Sequence, residues 1–249
     1  MSDRLAESWD QAARGYEEYF VPRFAPWVRA AVDELTDLPD GPIVVPCCGT
    51  FPEVDLLAPR FPDRRITGID LSAEMVRLAQ QRAGDRAQAI QGDAAILDPS
   101  WSAAAVVSVF GLQQLPDPAA AIKTWYAALR PAGRLTVVYW PEHTEEAGPY
   151  TLLDQVLDLP VDASWEDALV PALENVDRDE LIAFPITHPS AAAYFDAANN
   201  AGPLRATALA RGDDYMAELR AKYLEQAPQG EWTHTPNARL ISARKSGSG

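Results

Sequence analysis

Positive charge, cysteine, histidine and clustered glycine are all scarce in this chain. Lysine and arginine together number 21 against 36 aspartates and glutamates, a formal net charge of −15 over 249 residues. A surface of that sign repels phosphate backbones and anionic membrane faces, so neither nucleic acid nor membrane is an expected partner. The two cysteines, Cys47 and Cys48, are neighbours, a spacing that rarely closes a disulfide without strain. His143, His188 and His234 lie far downstream of them, so no metal-ligand spacing is present and none is expected to be used. Buried thiols at a strand end are the expected state of the pair. No apolar run approaches the roughly 20 residues that span a bilayer. The opening MSDRLAESWDQAARGYEEYF is charged and amphipathic and lacks the apolar core of a signal peptide. These absences lead to the expectation of a soluble cytoplasmic protein, with the closing KSGSG a flexible tail.

What is present is order. Hydrophobic residues make up 47% of the chain, enough for a substantial core in one large domain or one domain with an insertion. PIVVPCC reads as a strand, and PEVDLLAPRF as a helix with Pro52 in its first turn. RRITGID is a second strand, after which Ser72 caps a helix bearing Met75, Val76 and Ala79 on one face. AQAIQGD is a third, shorter strand. AAAVVSVFGL is a fourth, almost wholly apolar as a strand buried on both faces requires. Asp117 and Pro118 open a helix in which Ile122, Trp125, Tyr126 and Leu129 recur at helical spacing. Pro131 and Gly133 end it, and RLTVVYW makes a fifth strand. Such alternation builds a doubly wound α/β sheet with helices on both faces. Beyond Trp140, YTLLDQVLDL and SWEDALVPALENV read as helices, and DELIAFPITH as a strand. SAAAYFDAANNAG and DDYMAELRAKYLEQA read as two further helices, inserted before NARLISARK closes the chain as an edge or near-edge strand.

In such a sheet, ligands bind past the carboxyl ends of the strands where the strand order reverses. The residues there are Cys47-Cys48-Gly49-Thr50, then Asp70, then Gly92-Asp93-Ala94, then Val109-Phe110-Gly111. A carboxylate after a second strand can accept hydrogen bonds from both hydroxyls of a ribose, and one after a third strand from an exocyclic amine. Asp70 also suits the start of the following helix, and Asp93 an ordinary turn. Their order after successive strands favours the ligand reading. The first loop has one glycine, no basic residue, and Phe51-Pro52 where a pyrophosphate would want amides. A nucleoside without phosphates is the ligand that fits.

IVVPCCGT, ITGIDLSAEMVRLAQQRA, IQGDA and VVSVFGLQQLPDPAAAIKTWYAALRPAGRLTVVYW follow one another in the order of the class I S-adenosylmethionine-dependent methyltransferases. The chain resembles that family, small-molecule type, similar to the ubiquinone/menaquinone-biosynthesis group, from roughly Trp9 to Trp140. The resemblance implies a Rossmann-like seven-stranded sheet with an N-terminal helix and a helical insertion or lid in the C-terminal half. Residues 1–40 would form a helical cap, 41–140 the cofactor-binding half, and 141–245 a half carrying a helical substrate cover. It implies S-adenosylmethionine as cofactor, held by Tyr16, Pro46, Cys47, Gly49, Asp70, Leu71, Met75, Gly92, Asp93, Ala94, Val109 and Gln114. Tyr16 would stand for the tyrosine of the leading helix that closes over the cofactor.

The chain also departs from the family. Val45-Pro46 replaces an acidic residue near the end of the first strand, and Cys47 and Phe51 stand where glycines are usual. Glu53 either restores the missing charge or is a plain helix-start residue. Gln113-Gln114 stands in place of a frequent His-His pair. The implied activity is methyl transfer to a small apolar or aromatic metabolite, with His143, Tyr16 and Gln113 as candidate catalytic residues. Two alternatives remain open. One is the same fold without methyl transfer, as a cyclase, isomerase or ligand-binding protein. The other is a nicotinamide-dependent oxidoreductase, disfavoured because no G-x-G-x-x-G follows the first strand.

Overall fold

From Ile43 to Tyr139, strands and helices alternate in a computed structural model that describes residues 2–158 and 163–247. β1 (Ile43–Pro46), α2 (Val54–Arg60), β2 (Ile66–Asp70), α3 (Ala73–Ala83) and β3 (Gln88–Gln91) come first, preceded by α1 (Ser2–Asp33). β4 (Ala103–Val109), α4 (Pro118–Ala127) and β5 (Leu129–Tyr139) complete the parallel part. After α5 (Pro149–Leu157) come β6 (Val176–Ala183), β7 (Ile186–His188), α6 (Ala191–Asn199), α7 (Gly202–Arg211), α8 (Asp213–Gln226), β8 (Trp232–His234) and β9 (Asn237–Arg244).

The main sheet has seven strands in the order β3-β2-β1-β4-β5-β9-β6, with β9 antiparallel to both its neighbours. The doubly wound, seven-stranded expectation holds, and β9 is the near-edge strand. Strand order reverses between β1 and β4, which opens a crevice beyond their carboxyl ends. β1 is buried along its whole length and β4 through Ser108, as strands covered on both faces must be. No described helix is long and apolar enough to cross a membrane.

Four expectations are corrected. The helix opened by Asp117 ends at Ala127, and Leu129, Pro131 and Gly133 lie within β5 instead of in or just after that helix. Ser164 to Val176 does not form a helix; it makes two single turns of 3-10 helix, Glu166–Ala168 and Val170–Ala172. Pro171 has no amide to continue an α-helical ladder. The strand read over Asp179–His188 breaks at Phe184-Pro185, and its halves join different sheets: β6 the main one, β7 a two-stranded sheet with β8. Three helices, not two, lie between β7 and β8. The added one, α7, begins at Gly202-Pro203, a pair that resembles a loop but places proline in the first helical turn, where its missing amide does no harm. Ser248 and Gly249 of the expected tail lie outside the described residues.

A buried polar chain ties α1 to the second sheet. Tyr19 Oη lies 2.9 Å from His188 Nδ1, and His188 Nε2 lies 3.1 Å from His234 Nε2. His234 Nδ1 is 2.6 Å from Glu145 Oε2. Thus α1, β7, β8 and the loop after β5 meet at four side chains far apart in sequence. His188 is fully buried, and burial, with help from His234 and Arg23, lowers its pKa to about 3. A neutral His188 carries one N–H, so it donates to one neighbour and accepts from the other.

This predicts a pH dependence. Because the folded pKa lies below the unfolded value of about 6.5, the unfolded chain binds the extra proton as pH falls. Urea unfolding of the parent and of His188→Gln between pH 4.5 and 7 should give a stability difference that grows with pH. Its slope should approach ~1.4 kcal/mol per pH unit, flattening near neutrality. A difference independent of pH contradicts the assignment.

Candidate functional site

The turn after β1 sets the site. Cys47, Gly49 and Phe51 all adopt left-handed backbone, with φ of 54°, 53° and 63°. Two positions where the family usually has glycine therefore keep glycine's geometry without glycine. Gly49 N donates to Asp70 Oδ2 at 2.8 Å, and Ser72 N donates to Asp70 Oδ1 at 3.0 Å. Each Asp70 oxygen then keeps lone-pair capacity for one further donor. Burial raises the Asp70 pKa, while the amides of Ser72, Gly49 and Leu71 hold it down. Asp10 of α1 caps the same corner, accepting from Ser72 Oγ at 2.5 Å and Glu74 N at 3.0 Å.

A cavity of about 170 Å³ lies over this turn, between the sheet's carboxyl edge and α1. Tyr16, Cys47, Gly49, Asp70, Leu71, Met75, Asp93, Ala94, Val109 and Gln114 line it, so the structure brings together ten of the twelve expected cofactor residues. Pro46 and Gly92 are not lining residues. The Pro46 carbonyl accepts from Ser108 Oγ at 3.0 Å, and Gly92 N donates to the Asp70 carbonyl at 2.9 Å; both shape the turns behind the wall. Trp125 Nε1 donates to the Ala94 carbonyl at 2.7 Å and fixes the turn that carries Asp93.

Glu53 also lines the cavity and is only 2% exposed. Its Oε2 and the neighbouring Thr50 Oγ1 are buried without hydrogen-bond partners. Burial pushes the Glu53 pKa up to about 8, against the pull of its own backbone amide and of Arg82. Arg82 braces the surroundings by donating to the Thr50 carbonyl at 3.1 Å, to Asp55 at 2.7 Å and to Glu17 of α1. Among the described lining residues are three carboxylates, Glu53, Asp70 and Asp93, and no lysine, arginine or histidine. A site so built receives a ligand with positive charge and hydrogen-bond donors. Burial, followed by Glu53, Asp70 and Glu17, raises the Tyr16 pKa well above its ordinary value, so its phenol stays neutral at the mouth.

A second cavity, about 460 Å³, adjoins the first and shares Trp9, Tyr16, Phe24, Phe110 and Gln114 with it. Gln113 lines this one, whereas His143 is exposed and lines neither. Phe110 stands in the loop already read as part of the ligand edge. Sequence reasoning missed Trp9 and Phe24 as wall residues, because their place in the amphipathic α1 reads equally as core. It missed the Asp10 cap because its partners lie more than sixty positions away.

With this geometry in view, residues 43–133 match the model of a methyltransferase domain. Trans-aconitate 2-methyltransferase of Paracidovorax citrulli is 32% identical over 124 residues, 49% of this chain and 45% of that protein. The ubiquinone/menaquinone biosynthesis C-methyltransferase of Geotalea daltonii is 30% identical over 151 residues, 55% of this chain and 63% of that protein. The chain thus spans between about half and two thirds of the length of these relatives. Among solved structures, geranyl diphosphate C-methyltransferase of Streptomyces coelicolor, bound to Mg2+, geranyl diphosphate and S-adenosylhomocysteine, superposes with a TM-score of 0.54 at 14% identity. That likeness covers 89% of this chain and 79% of that one and bears on fold alone. A seven-stranded sheet in this order, an acidic residue ending β2 beside the switch point, and a methyltransferase-domain match over residues 43–133 lead to one conclusion: this part of the chain is similar to the cofactor-binding domain of the class I S-adenosylmethionine-dependent methyltransferases.

Proposed function

We propose that this chain transfers a methyl group from S-adenosylmethionine to a small apolar or aromatic acceptor held in the second cavity. The observation that carries the reading is the first cavity's set of three carboxylates, buried Glu53, half-buried Asp70 and exposed Asp93, with no cation among the described lining residues. It matches a ligand bearing a sulfonium and an ammonium group. Asp70 would take the two ribose hydroxyls on its free lone pairs. Asp93 would accept from the adenine amine, with Leu71, Met75 and Ala94 against the ring. Glu53 and Thr50, whose oxygens lack partners, would hold the methionine end. When bound, the cofactor supplies an activated methyl group on a positively charged sulfur.

The protein's own part is placement and exclusion of water. Trp9 and Tyr16 pack edge to face, with ring centroids 5.5 Å apart, and both line both cavities. They form the wall past which one compartment meets the other. Holding the two reactants in contact supplies most of the acceleration such a transfer needs. Gln113 donates from Nε2 to the Phe110 carbonyl at 2.9 Å, which fixes its orientation toward the acceptor side. Its role is to position. α5 and α6, whose Tyr150, Leu153, Asp154 and Tyr194 line the second cavity, would serve as the helical cover over the acceptor.

Calorimetric titration with S-adenosylhomocysteine tests the cofactor site directly. Asp70→Asn, which loses charge-assisted bonds to the ribose and loop amide, should weaken binding about ten- to a hundredfold. An unchanged affinity rules Asp70 out as the ribose acceptor. A second expectation concerns pH. A cation beside Glu53 favours its ionised form, so below pH 8 binding of S-adenosylmethionine should release a proton and tighten as pH rises. Above about pH 8 the affinity should level off, and Glu53→Gln should remove the dependence. Proton release measured in buffers of different ionisation enthalpy reads this without turnover. No release at pH 6.5 would place the cationic groups elsewhere.

A further inference from the structure

The second cavity is aromatic and acidic at once. Phe110 and Trp140 stack with centroids 4.1 Å apart and planes 9° apart, and Tyr150 meets Trp140 edge to face at 5.4 Å. Tyr194 lies 5.8 Å beyond Tyr150, closing that side of the wall. Three carboxylates, Glu142, Asp154 and Glu166, line the same space. Glu166 is already engaged: it accepts from Glu142 N at 2.8 Å and from Tyr139 Oη at 3.2 Å, with Arg239 at 3.9 Å. The side chains of Glu142 and Asp154 have no ion-pair partner among the described residues, and no lysine, arginine or histidine is among the lining.

Two further atoms point the same way. The Tyr150 hydroxyl and Gln113 Oε1 are buried and unpartnered, and both residues line this cavity. Gln113 cannot be turned round to exchange its ends, because its Nε2 donates to the Phe110 carbonyl and an oxygen there would face another acceptor. The unpaired end is therefore an acceptor. Burial, then Glu145, then Tyr16 and Tyr19, keep Tyr150 a neutral phenol, with lone pairs to offer. An aromatic wall attracts a cation through its ring faces, two free carboxylates add charge, and two acceptors await N–H donors. An anion would meet the same carboxylates with nothing to neutralise it.

We propose that the acceptor is a small amine with an apolar body, captured as its ammonium ion. It would give up one proton to solvent beside the exposed Glu142 and Asp154. The freed nitrogen lone pair would then take the methyl group as the S–C bond breaks and the sulfonium leaves as a neutral thioether. This deepens the methyltransferase reading and rests on it for the word acceptor. The cavity's preference for a cation stands on its own residues.

The test uses three probes of one shape: 2-phenylethylamine, 2-phenylethanol and 3-phenylpropionate. Each is titrated into the full chain with and without saturating S-adenosylhomocysteine, at pH 7.5, by calorimetry and by quenching of tryptophan fluorescence. The amine should bind at least tenfold tighter than the alcohol, the carboxylate should not bind measurably, and added salt should weaken the amine alone. The double variant Glu142→Gln, Asp154→Asn should lower amine affinity about tenfold and leave the alcohol unchanged. Tyr150→Phe, which keeps the ring, should weaken the amine several-fold. If the homocysteine ligand binds but the amine does no better than the alcohol, or the carboxylate binds best, the inference is overturned and the cofactor site stands. If the homocysteine ligand fails while the amine keeps its preference, the cation site stands and methyl transfer is lost.

Discussion

The left-handed turn after β1 is the constraint on which the rest depends. It holds Cys47 and Phe51 in a conformation that costs a side-chain-bearing residue roughly 1–2 kcal/mol each. Phe51 is fully buried in the core, and burying an aromatic ring of that size contributes about 2–3 kcal/mol. Burial therefore wins at Phe51, which explains how a bulky residue occupies a glycine position. The neighbours give way instead. A Cβ on Gly68 would lie 2.7 Å from Cys48 Sγ and 3.0 Å from Phe51 Cε1, and one on Gly111 would lie 2.4 Å from Cys47 Cβ. Glycine is needed at these neighbours, Gly68 within β2 and Gly111 in the loop after β4. The backbone still turns as the cofactor loop requires, and Gly49 still donates to Asp70.

That turn also carries Glu53 into the interior, and the electrostatics follow. Its folded pKa, about 8, lies above the ordinary value of 4.5, so its contribution to stability is full below pH 4.5 and lost as pH rises toward 8. His188 acts in the opposite sense between about pH 3 and 6.5, where rising pH stabilises the fold. In the overlap, from 4.5 to 6.5, the two oppose one another, and the parent protein shows little of either. Above 6.5 only the Glu53 penalty remains, and a cationic ligand relieves it. Destabilisation is thus concentrated where a ligand can offset it. Both cavities share this character: carboxylates, aromatic rings and unpartnered acceptors, with arginines kept to the outside as braces.

Much of this was legible in the chain. The strand–helix alternation to Trp140 follows from local pattern, and each loop residue at the switch point follows from counting strands. Asp70, Asp93 and Gly49 stand where that counting puts them, and all three line the cavity. The C-terminal half resisted for identifiable reasons. Pro171 and Pro185 break periodic runs that otherwise look continuous, and Gly202-Pro203 hides a helix start behind a loop-like pair. The second cavity was illegible because its walls come from α1, the loop after β4, α5 and α6, and only folding brings Tyr16, Phe110, Tyr150 and Tyr194 together. His143, placed after β5 by counting, turns to solvent, while the buried histidines pair with each other across the second sheet.

The most direct test of the central claim, that the first cavity is a carboxylate site made for a cationic ligand, is a 13C NMR titration. The side-chain carboxyl of Glu53, assigned by its loss in Glu53→Gln, would be followed with and without S-adenosylmethionine. The account predicts a midpoint near pH 8 in the free protein, moving to lower pH when the ligand is bound. A midpoint near the ordinary 4.5 in the free protein, unmoved by the ligand, would contradict it.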